Sequence, residues 1–354
     1  MMEWLPTYIE RQPHTVKRLT FFFYMTFSLL LISVFTFVEL NCENLFDCRH
    51  DSLKNDMEFL PEGSYHWTPY RYWRKLDRIG QTIIACGEDR CGEDLKDKEK
   101  GDSSGWNWKL PDLVALCEVE NDSVLRDLTK RSLLRNASYE YVMTQSADER
   151  GIDVALLYSP YTFWLLESRA VSVQRVKGMR PTRDVLYAKG LVWGRDTLHV
   201  MVAHFPSRRG GEAYSRPFRM AAAKTVCALA DSIKAVSPDA NIVIAGDFND
   251  YSKSKSLLML RNRGFTDISA GAKGHNGAKG TYRYQGEWGS LDHILVSPTL
   301  ASRMLACCVY DAPFLLVPDE KYGGVKPRRN YLGPRYMDGF SDHLPLVAKW
   351  RQPE

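Results

Sequence analysis

Side chains able to hold a cation or move a proton recur at the ends of apolar runs. They are Asn41 and Glu43 in ELNCENLFD, Glu118 and Glu120 in LVALCEVEN, His204 in VMVAHFPSRRGGE, and Asp247 and Asn249 in IVIAGDFND, followed by Asp292 and His293 in GSLDHILVS and by Asp342 and His343 in FSDHLPL. If the runs are strands of one domain, their ends meet at a common rim and these groups converge. Carboxylates gathered in one cleft repel unless a proton or a cation lies between them. Oxygen ligands without a Cys/His cage favour a hard ion, Mg²⁺ with Mn²⁺ as a substitute, over zinc. Such an ion keeps coordination positions open for a phosphoryl oxygen and water and stabilises developing charge, chemistry that suits phosphate esters.

The elements that must position these groups alternate in period. DLVALCEV (112–119), DVALLYS (153–159), LHVMVAHF (198–205), NIVIAGDF (241–248), DHILVS (292–297) and LPLVAKW (344–350) read as strands, most too apolar to be half-exposed. YRYWRKLDRIGQTIIACG places Trp73, Leu76, Ile79, Gln81, Ile83 and Ile84 on a helical stripe that stops at Gly87. A second helix is expected from Ser215 to Val236, with Ser215 as cap and Pro217 in the first turn. This is a layered α/β pattern. The polar stretch from Cys86 to Trp106 reads as a surface insertion, so one catalytic domain over 34–354 is the economical count.

With 354 residues, 44% hydrophobic and 25% charged, the chain can bury a large core, which excludes disorder as the default. A net charge of +4 is too small to act by itself as a nucleic-acid footprint. Residues 1–33 form a basic and then apolar segment that reads as an export signal or membrane anchor, with membrane association through residues 17–38; export or anchoring is favoured over a cytoplasmic location. The competing reading is that SVFTFVELN is a buried first strand. The eight cysteines show no CxxC pair; Cys42, Cys117 and Cys227 read as core residues, and Cys48 with Cys91 is the pair to consider in an exported protein.

Taken in order, ELNCENLFD, LVALCEVEN, VAHFPSR, IAGDFND, SLDHILVS and FSDHLPL resemble the motif set of the endonuclease/exonuclease/phosphatase (DNase-I-like) superfamily, over about Phe35 to Trp350; finer phrases such as RGIDVALLYSP resemble bacterial members. The resemblance implies a four-layer sandwich of two packed, mostly antiparallel β-sheets flanked by helices. It also implies roles. Glu118 would be the principal Mg²⁺ ligand with Asn41 beside it, Glu43 would lie near a second or alternative metal position, and Asp342 would complete the metal side. Asp247 would orient or deprotonate the attacking water, and Asn249 would hold a phosphate oxygen. His343, paired with Asp292, would contact the scissile phosphate, and His204 would protonate or hydrogen-bond the leaving oxygen. Whether Asp247 or His343 is the base stays open. The implied reaction is in-line attack by water without a covalent intermediate.

Each group also has a bland reading. Asp and Asn in GDFND satisfy ordinary turn chemistry, Ser341–Asp342 can cap a helix, and strand alternation makes Glu120 and His293 structural. Arg208 and Arg209 are either a fork for phosphate oxygens or a solvated basic turn. Tyr282, Tyr284 and Trp288 either stack bases or belong to a hairpin. Three functions follow from this inventory. The leading one is a Mg²⁺-dependent phosphodiesterase, with nucleic acid as the favoured substrate and no protein partner. The second is a phospholipid, sphingomyelin or inositol-phosphate hydrolase. The third is a non-catalytic binding protein, which predicts gaps in the acidic and histidine set that the sequence does not show. Departures from better-known members are Asp250 after Asn249 and Glu43-Asn44 in the first motif, where many nucleases carry Asp-Gly.

Overall fold

The computed structural model describes residues 34–88, 108–192 and 195–351. Eighteen strands follow the chain: β1 Val34–Leu45, β2 Leu113–Val119, β3 Glu140–Met143, β4 Asp153–Tyr158, β5 Phe163–Val171, β6 Val185–Val192, β7 Asp196–Val202, β8 Asn241–Asp247 and β9 Thr266–Asp267. They continue as β10 Tyr282–Tyr284, β11 Glu287–Gly289, β12 Asp292–Val296, β13 Met304–Val309, β14 Leu316–Pro318, β15 Val325–Pro327, β16 Tyr331–Leu332, β17 Arg335–Tyr336 and β18 Leu346–Arg351. Two six-stranded sheets carry the fold, ordered β13-β18-β1-β2-β4-β3 and β5-β6-β7-β8-β12-β9. Only β1–β2 and β7–β8 pair in parallel within them; every other neighbour is antiparallel.

Alternation along the strands sorts side chains into layers. On β8, Val243 and Ala245 enter the core between the sheets, whereas Ile242 and Ile244 join Met201 and Ala203 in an outer layer. That outer layer is covered by helix α3, Glu212–Val236, through Ala222, Val226 and Ala230. Helices α1, Pro69–Ala85, and α2, Asp122–Lys130, bury Leu76, Ile79, Ile83, Val124 and Leu128 on the other side. The result is the expected four-layer sandwich, two sheets face to face with helices outside.

Several local expectations shift. The buried face of α1 is Tyr72, Lys75, Leu76, Ile79 and Ile83, while Trp73 and Gln81 are exposed; the stripe is rotated by one residue. The apolar stem of Lys75 lies in the core so that its ammonium can donate to the Phe340 carbonyl. Helix α3 starts at Glu212 behind Gly211, so Ser215 lies inside it and its hydroxyl donates to the Gly211 carbonyl at 2.7 Å; Pro217 is likewise interior rather than in the first turn. Within SVFTFVELN, the described residues from Val34 onward supply β1, whose burial from Phe35 to Glu43 is continuous. The expected signal or anchor over 1–33 lies outside the described residues, as does nearly all of the insertion after Glu88. Among the described residues no helix is long and apolar enough to cross a membrane. Cys42, Cys117 and Cys227 are buried thiols as expected, but Cys48 is also a free thiol, so it does not pair with Cys91; Cys308 is disulfide-bonded.

Candidate active site

The groups at the strand ends meet in one cleft, and strand parity explains why. Asp247 continues the inward set Val243 and Ala245, while Asp292 begins the inward set completed by Ile294 and Val296. The two carboxylates face each other across the antiparallel β8–β12 pair. Like charges directly opposite are unfavourable, so this register needs compensation. His343 supplies it: its Nδ1 lies 2.7 Å from Asp292 Oδ2, and the Thr281 hydroxyl donates to the same oxygen. On the other sheet Asn41 Nδ2 donates to Asp247 Oδ2 at 3.1 Å.

Glu118 reaches the cleft by a different device. Simple alternation after Cys117, which faces the sheet interface, would turn Glu118 outward. Its φ of +62°, together with a register shift between Cys117 and Val119, re-aims it. Glu43, Asn44 and Asn249 have φ of 51°, 57° and 49°. Left-handed backbone at a non-glycine residue costs about 1–2 kcal/mol. Four such residues around one cleft are held there by the fold: Glu118 Oε2 accepts from Asn44 N–H at 2.8 Å, and Asp247 Oδ1 accepts from Asn249 N–H at 2.8 Å. Gly246 lets β8 approach the neighbouring chain, since a Cβ there would stand 1.9 Å from the Ala203 carbonyl oxygen.

Charge states follow from burial and neighbours. Burial and Asp292 push the Asp247 carboxyl up to about 7. Burial works against protonation of His343, but Asp292 beside it, with Asp247 and Asp342, raises its pKa well above the ordinary histidine value. His204 goes the other way, lowered by burial and by Arg183 and Arg150. Its Nε2 stands 3.6 Å from Asp247 Oδ2 and 4.0 Å from Glu118 Oε1, while Nδ1 is buried without a partner. A neutral ring with its hydrogen on Nε2 satisfies both observations.

Among the groups expected to work at the metal side, Glu43 is the one most taken up by protein contacts. Its Oε2 accepts from Asn330 N–H at 2.6 Å and its Oε1 from Tyr331 N–H at 3.2 Å; burial and Asp342 push it up to about 7. Glu118 Oε1 and Asp342 Oδ1 accept from no donor among the described residues. Asp247, Asp292 and His343 have ligand atoms within 4.8 Å of one another, with His343 Nδ1 already taken up by Asp292. Glu118, whose charge acts on Asp247, and Asp342, whose charge acts on His343, add open oxygens of the kind that suits a hard divalent ion, while the Asn41 amide oxygen accepts from Glu43 N–H at 2.9 Å. Five carboxylates line this cleft, those of Glu43, Glu118, Asp247, Asp292 and Asp342, against the cations Lys75, Arg329 and His343. Protons held by Glu43 and Asp247 near neutrality, or a bound cation, relieve this crowding of acidic groups.

The other candidates are engaged by contacts within the protein or exposed at its surface. Glu120 Oε2 accepts from Asp47 N–H at 2.7 Å, and His293 is locked between Asp267 and the Asp250 carbonyl; alternation accounts for His293, whereas Glu120 is parted from Glu118, two residues earlier, by the irregular backbone at Glu118. Arg208 pairs with Glu212 at 2.9 Å and Asp250 at 3.2 Å instead of pointing freely at substrate, and Arg209 is exposed. Asn249 directs its amide to the Phe205 carbonyl at 3.1 Å. Tyr282 and Tyr284 lie in the β10–β11 hairpin with Trp288; the Tyr282 ring packs 4.9 Å from His343, and Tyr284 is exposed.

Sequence reasoning missed three groups. Glu39 sits two positions before Asn41 on the same strand face, fully buried, with neither oxygen hydrogen-bonded; burial, then Asp292 and Asp247, raise its pKa well above the usual carboxylate range and keep it protonated. Its spacing from Asn41 was the available signal. Lys75 and Arg329 come from a distant helix and loop, and no local pattern marks them.

The sequence profile of the Endonuclease/Exonuclease/phosphatase family matches residues 36–352. No curated protein sequence matches the chain. Among solved structures, the chain is similar to an endonuclease/exonuclease/phosphatase family protein from Bacteroides thetaiotaomicron, at 14% identity and a TM-score of 0.55, covering 91% of this chain and 99% of that one. It is similar to TDP2 from C. elegans at 14% identity and TM-score 0.51, covering 90% and 75%. It is also similar to a mannosyl-6-phosphatase of Bacteroides thetaiotaomicron VPI-5482 at 15% identity and TM-score 0.53, covering 89% and 98%. These likenesses are of fold.

Proposed function

Because the chain belongs to the endonuclease/exonuclease/phosphatase family of phosphoester hydrolases, we propose that it is a Mg²⁺-dependent phosphodiesterase, with nucleic acid as its favoured substrate. The observation that carries this reading is the gathering of acidic groups around a paired histidine. The His343–Asp292 pair stands with Asp247, and Glu118 and Asp342 beside them keep open acidic oxygens.

Glu118, Asp342 and Asn41 would hold the ion, which when bound supplies charge stabilisation at a phosphate oxygen. His343, kept protonated by Asp292, would bind a second phosphate oxygen and stabilise the charge that grows as the bond to the leaving group lengthens. Asp247, near neutrality, would accept the proton of the attacking water; its Oδ1 is fixed by Asn249 N–H and its Oδ2 by the Asn41 amide, so the carboxylate does not rotate and each oxygen keeps one acceptor direction free. With Asp247 as base, His343 keeps its proton. His204, held neutral, would act as a hydrogen-bond donor at the cleft floor instead of as an acid. The exposed rings of Tyr284 and Tyr251 beside the cleft, with the Arg208 guanidinium 5.1 Å from the Tyr251 ring, suit stacked bases.

The test is a screen of purified protein with Mg²⁺ or Mn²⁺ over supercoiled plasmid, single-stranded DNA, RNA, sphingomyelin and inositol phosphates. Cleavage of nucleic acid that disappears with EDTA, and falls by orders of magnitude in folded Asp247→Ala and His343→Ala, is the expected result. Release of choline phosphate or of inorganic phosphate from an inositol phosphate, with nucleic acid intact, would replace the substrate. Comparable turnover in the two variants would remove the assigned roles.

A further inference from the structure

The second or alternative metal position expected near Glu43 is taken by a side chain. Arg329 lies in the loop between β15 and β16, with Nε 3.5 Å from Glu43 Oε1 and Nη2 donating to Asp342 Oδ2 at 3.1 Å. Backbone N–H groups of the next two residues, Asn330 and Tyr331, hold the Glu43 carboxylate from the other side. Carboxylate and guanidinium are thereby fixed by one turn of chain. Each carboxylate oxygen offers two acceptor directions. The N–H bonds occupy one on each Glu43 oxygen, and Arg329 stands against Oε1. A guanidinium is charged at every accessible pH, and its planar fork reaches two carboxylates at once. In two-metal phosphoesterases a second ion performs that neutralisation from about 3.5–4 Å away.

We propose that Arg329 replaces a second metal ion, so that this chain holds one divalent ion and uses the tethered guanidinium to neutralise Glu43 and Asp342. The side chain is 39% exposed, and Nη1 donates to no described residue, which leaves it for a phosphate oxygen of the substrate. The inference deepens the metal-dependent reading above and rests on it.

The experiment is Mn²⁺ titration of metal-stripped full-length protein, with free Mn²⁺ followed by electron paramagnetic resonance. Wild type should bind one ion. Arg329→Met should bind two, because Glu43 and Asp342 then lose the guanidinium between them and keep only the buried Lys75 ammonium nearby. Arg329→Lys, which keeps a charge, and the double variant Arg329→Met/Glu43→Gln, which removes the second carboxylate, should each return to one. Two ions in wild type, or one in folded Arg329→Met, overturn the proposal. The wild-type stoichiometry decides even where a variant fails to fold. No bound ion in wild type removes the metal reading itself and this inference with it, a result distinct from two.

Discussion

Replacing Asp292 with Asn isolates the charge state on which the phosphate side of the cleft depends. Asn keeps the size of the side chain and an oxygen for the Thr281 hydroxyl, but it removes the negative charge 2.7 Å from His343 Nδ1. It also removes the like-charge opposition with Asp247, so the variant should fold. Burial lowers the pKa of His343, and Asp292 is the leading influence that overrides it. Without that carboxylate, burial pulls the ring down while Asp247 and Asp342 still pull it up, so the ordinary histidine value of about 6.5 serves as the reference for the variant. At pH 8 about 3% of its molecules would then carry an imidazolium, an activity loss of about 30-fold, or ~2 kcal/mol. At pH 6 roughly three quarters would be protonated, so the loss should shrink to a few-fold. The assay compares kcat of wild type and Asp292→Asn on bis(p-nitrophenyl) phosphate with saturating Mg²⁺ from pH 6 to 8.5. Because Asp292 also raises Asp247, the ratio alone does not isolate His343, so the His343 imidazole is followed by NMR in both proteins over the same range. A ratio that stays flat across this range, whatever its size, refutes the argument that Asp292 acts by keeping His343 protonated.

Glu118→Gln should weaken Mn²⁺ binding by at least about tenfold, measured by calorimetry, and an unchanged affinity would take Glu118 out of the metal side. Glu39→Gln should stabilise the protein, and by more at pH 8 than at pH 5. A carboxyl whose native pKa lies above its unfolded value of 4.5 contributes fully below that value and progressively less as pH rises toward the native pKa, whereas Gln does not titrate. Thermal melts at the two pH values check the sign, and a pH-independent difference contradicts it. Arg219→Met should cost about 3–5 kcal/mol in urea unfolding. This fully buried guanidinium donates to Ser215 Oγ at 2.8 Å and pairs with Asp250 at 2.9 Å beside the GDFND turn, and a shift under about 1 kcal/mol would show that network to be dispensable.

Strand ends were legible in the sequence because a buried strand announces itself as an apolar run, and the polar residue that closes it stands out. Hence Asn41, Asp247, Asp292 and His343 were found together, and parity alone separates Asp292 from His293 and Asp247 from its neighbours. Parity failed to describe Glu118, because a left-handed residue breaks the alternation and no residue type at that position signals it. The same backbone device at Glu43 and Asn44 stands where many family nucleases carry Asp-Gly, and the pairing of Glu43 with backbone N–H groups of Asn330 and Tyr331 spans nearly the whole chain. Lys75 and Arg329 were invisible for that reason: a cation is recognised by the carboxylate it meets, and those carboxylates lie far off in sequence. The Arg208 ambiguity was resolved by Glu212 and Asp250, which give the guanidinium partners within the protein. Ser215 looked like a cap because its hydroxyl does satisfy a backbone group; that group is the Gly211 carbonyl one turn earlier.

Strand β1 is hydrogen-bonded to β18, with Val34 opposite Arg351, so the first strand made lies beside a strand made after all the others. Asp342 and His343 immediately precede that strand. During vectorial synthesis β1 therefore waits with one edge unpaired while more than three hundred residues pass through the ribosome, the kind of long-range closure that is slow and late. A chain that stops before Ser341 lacks Asp342, His343 and the β18 partner of β1, so the sheet and the cleft are completed by the same segment.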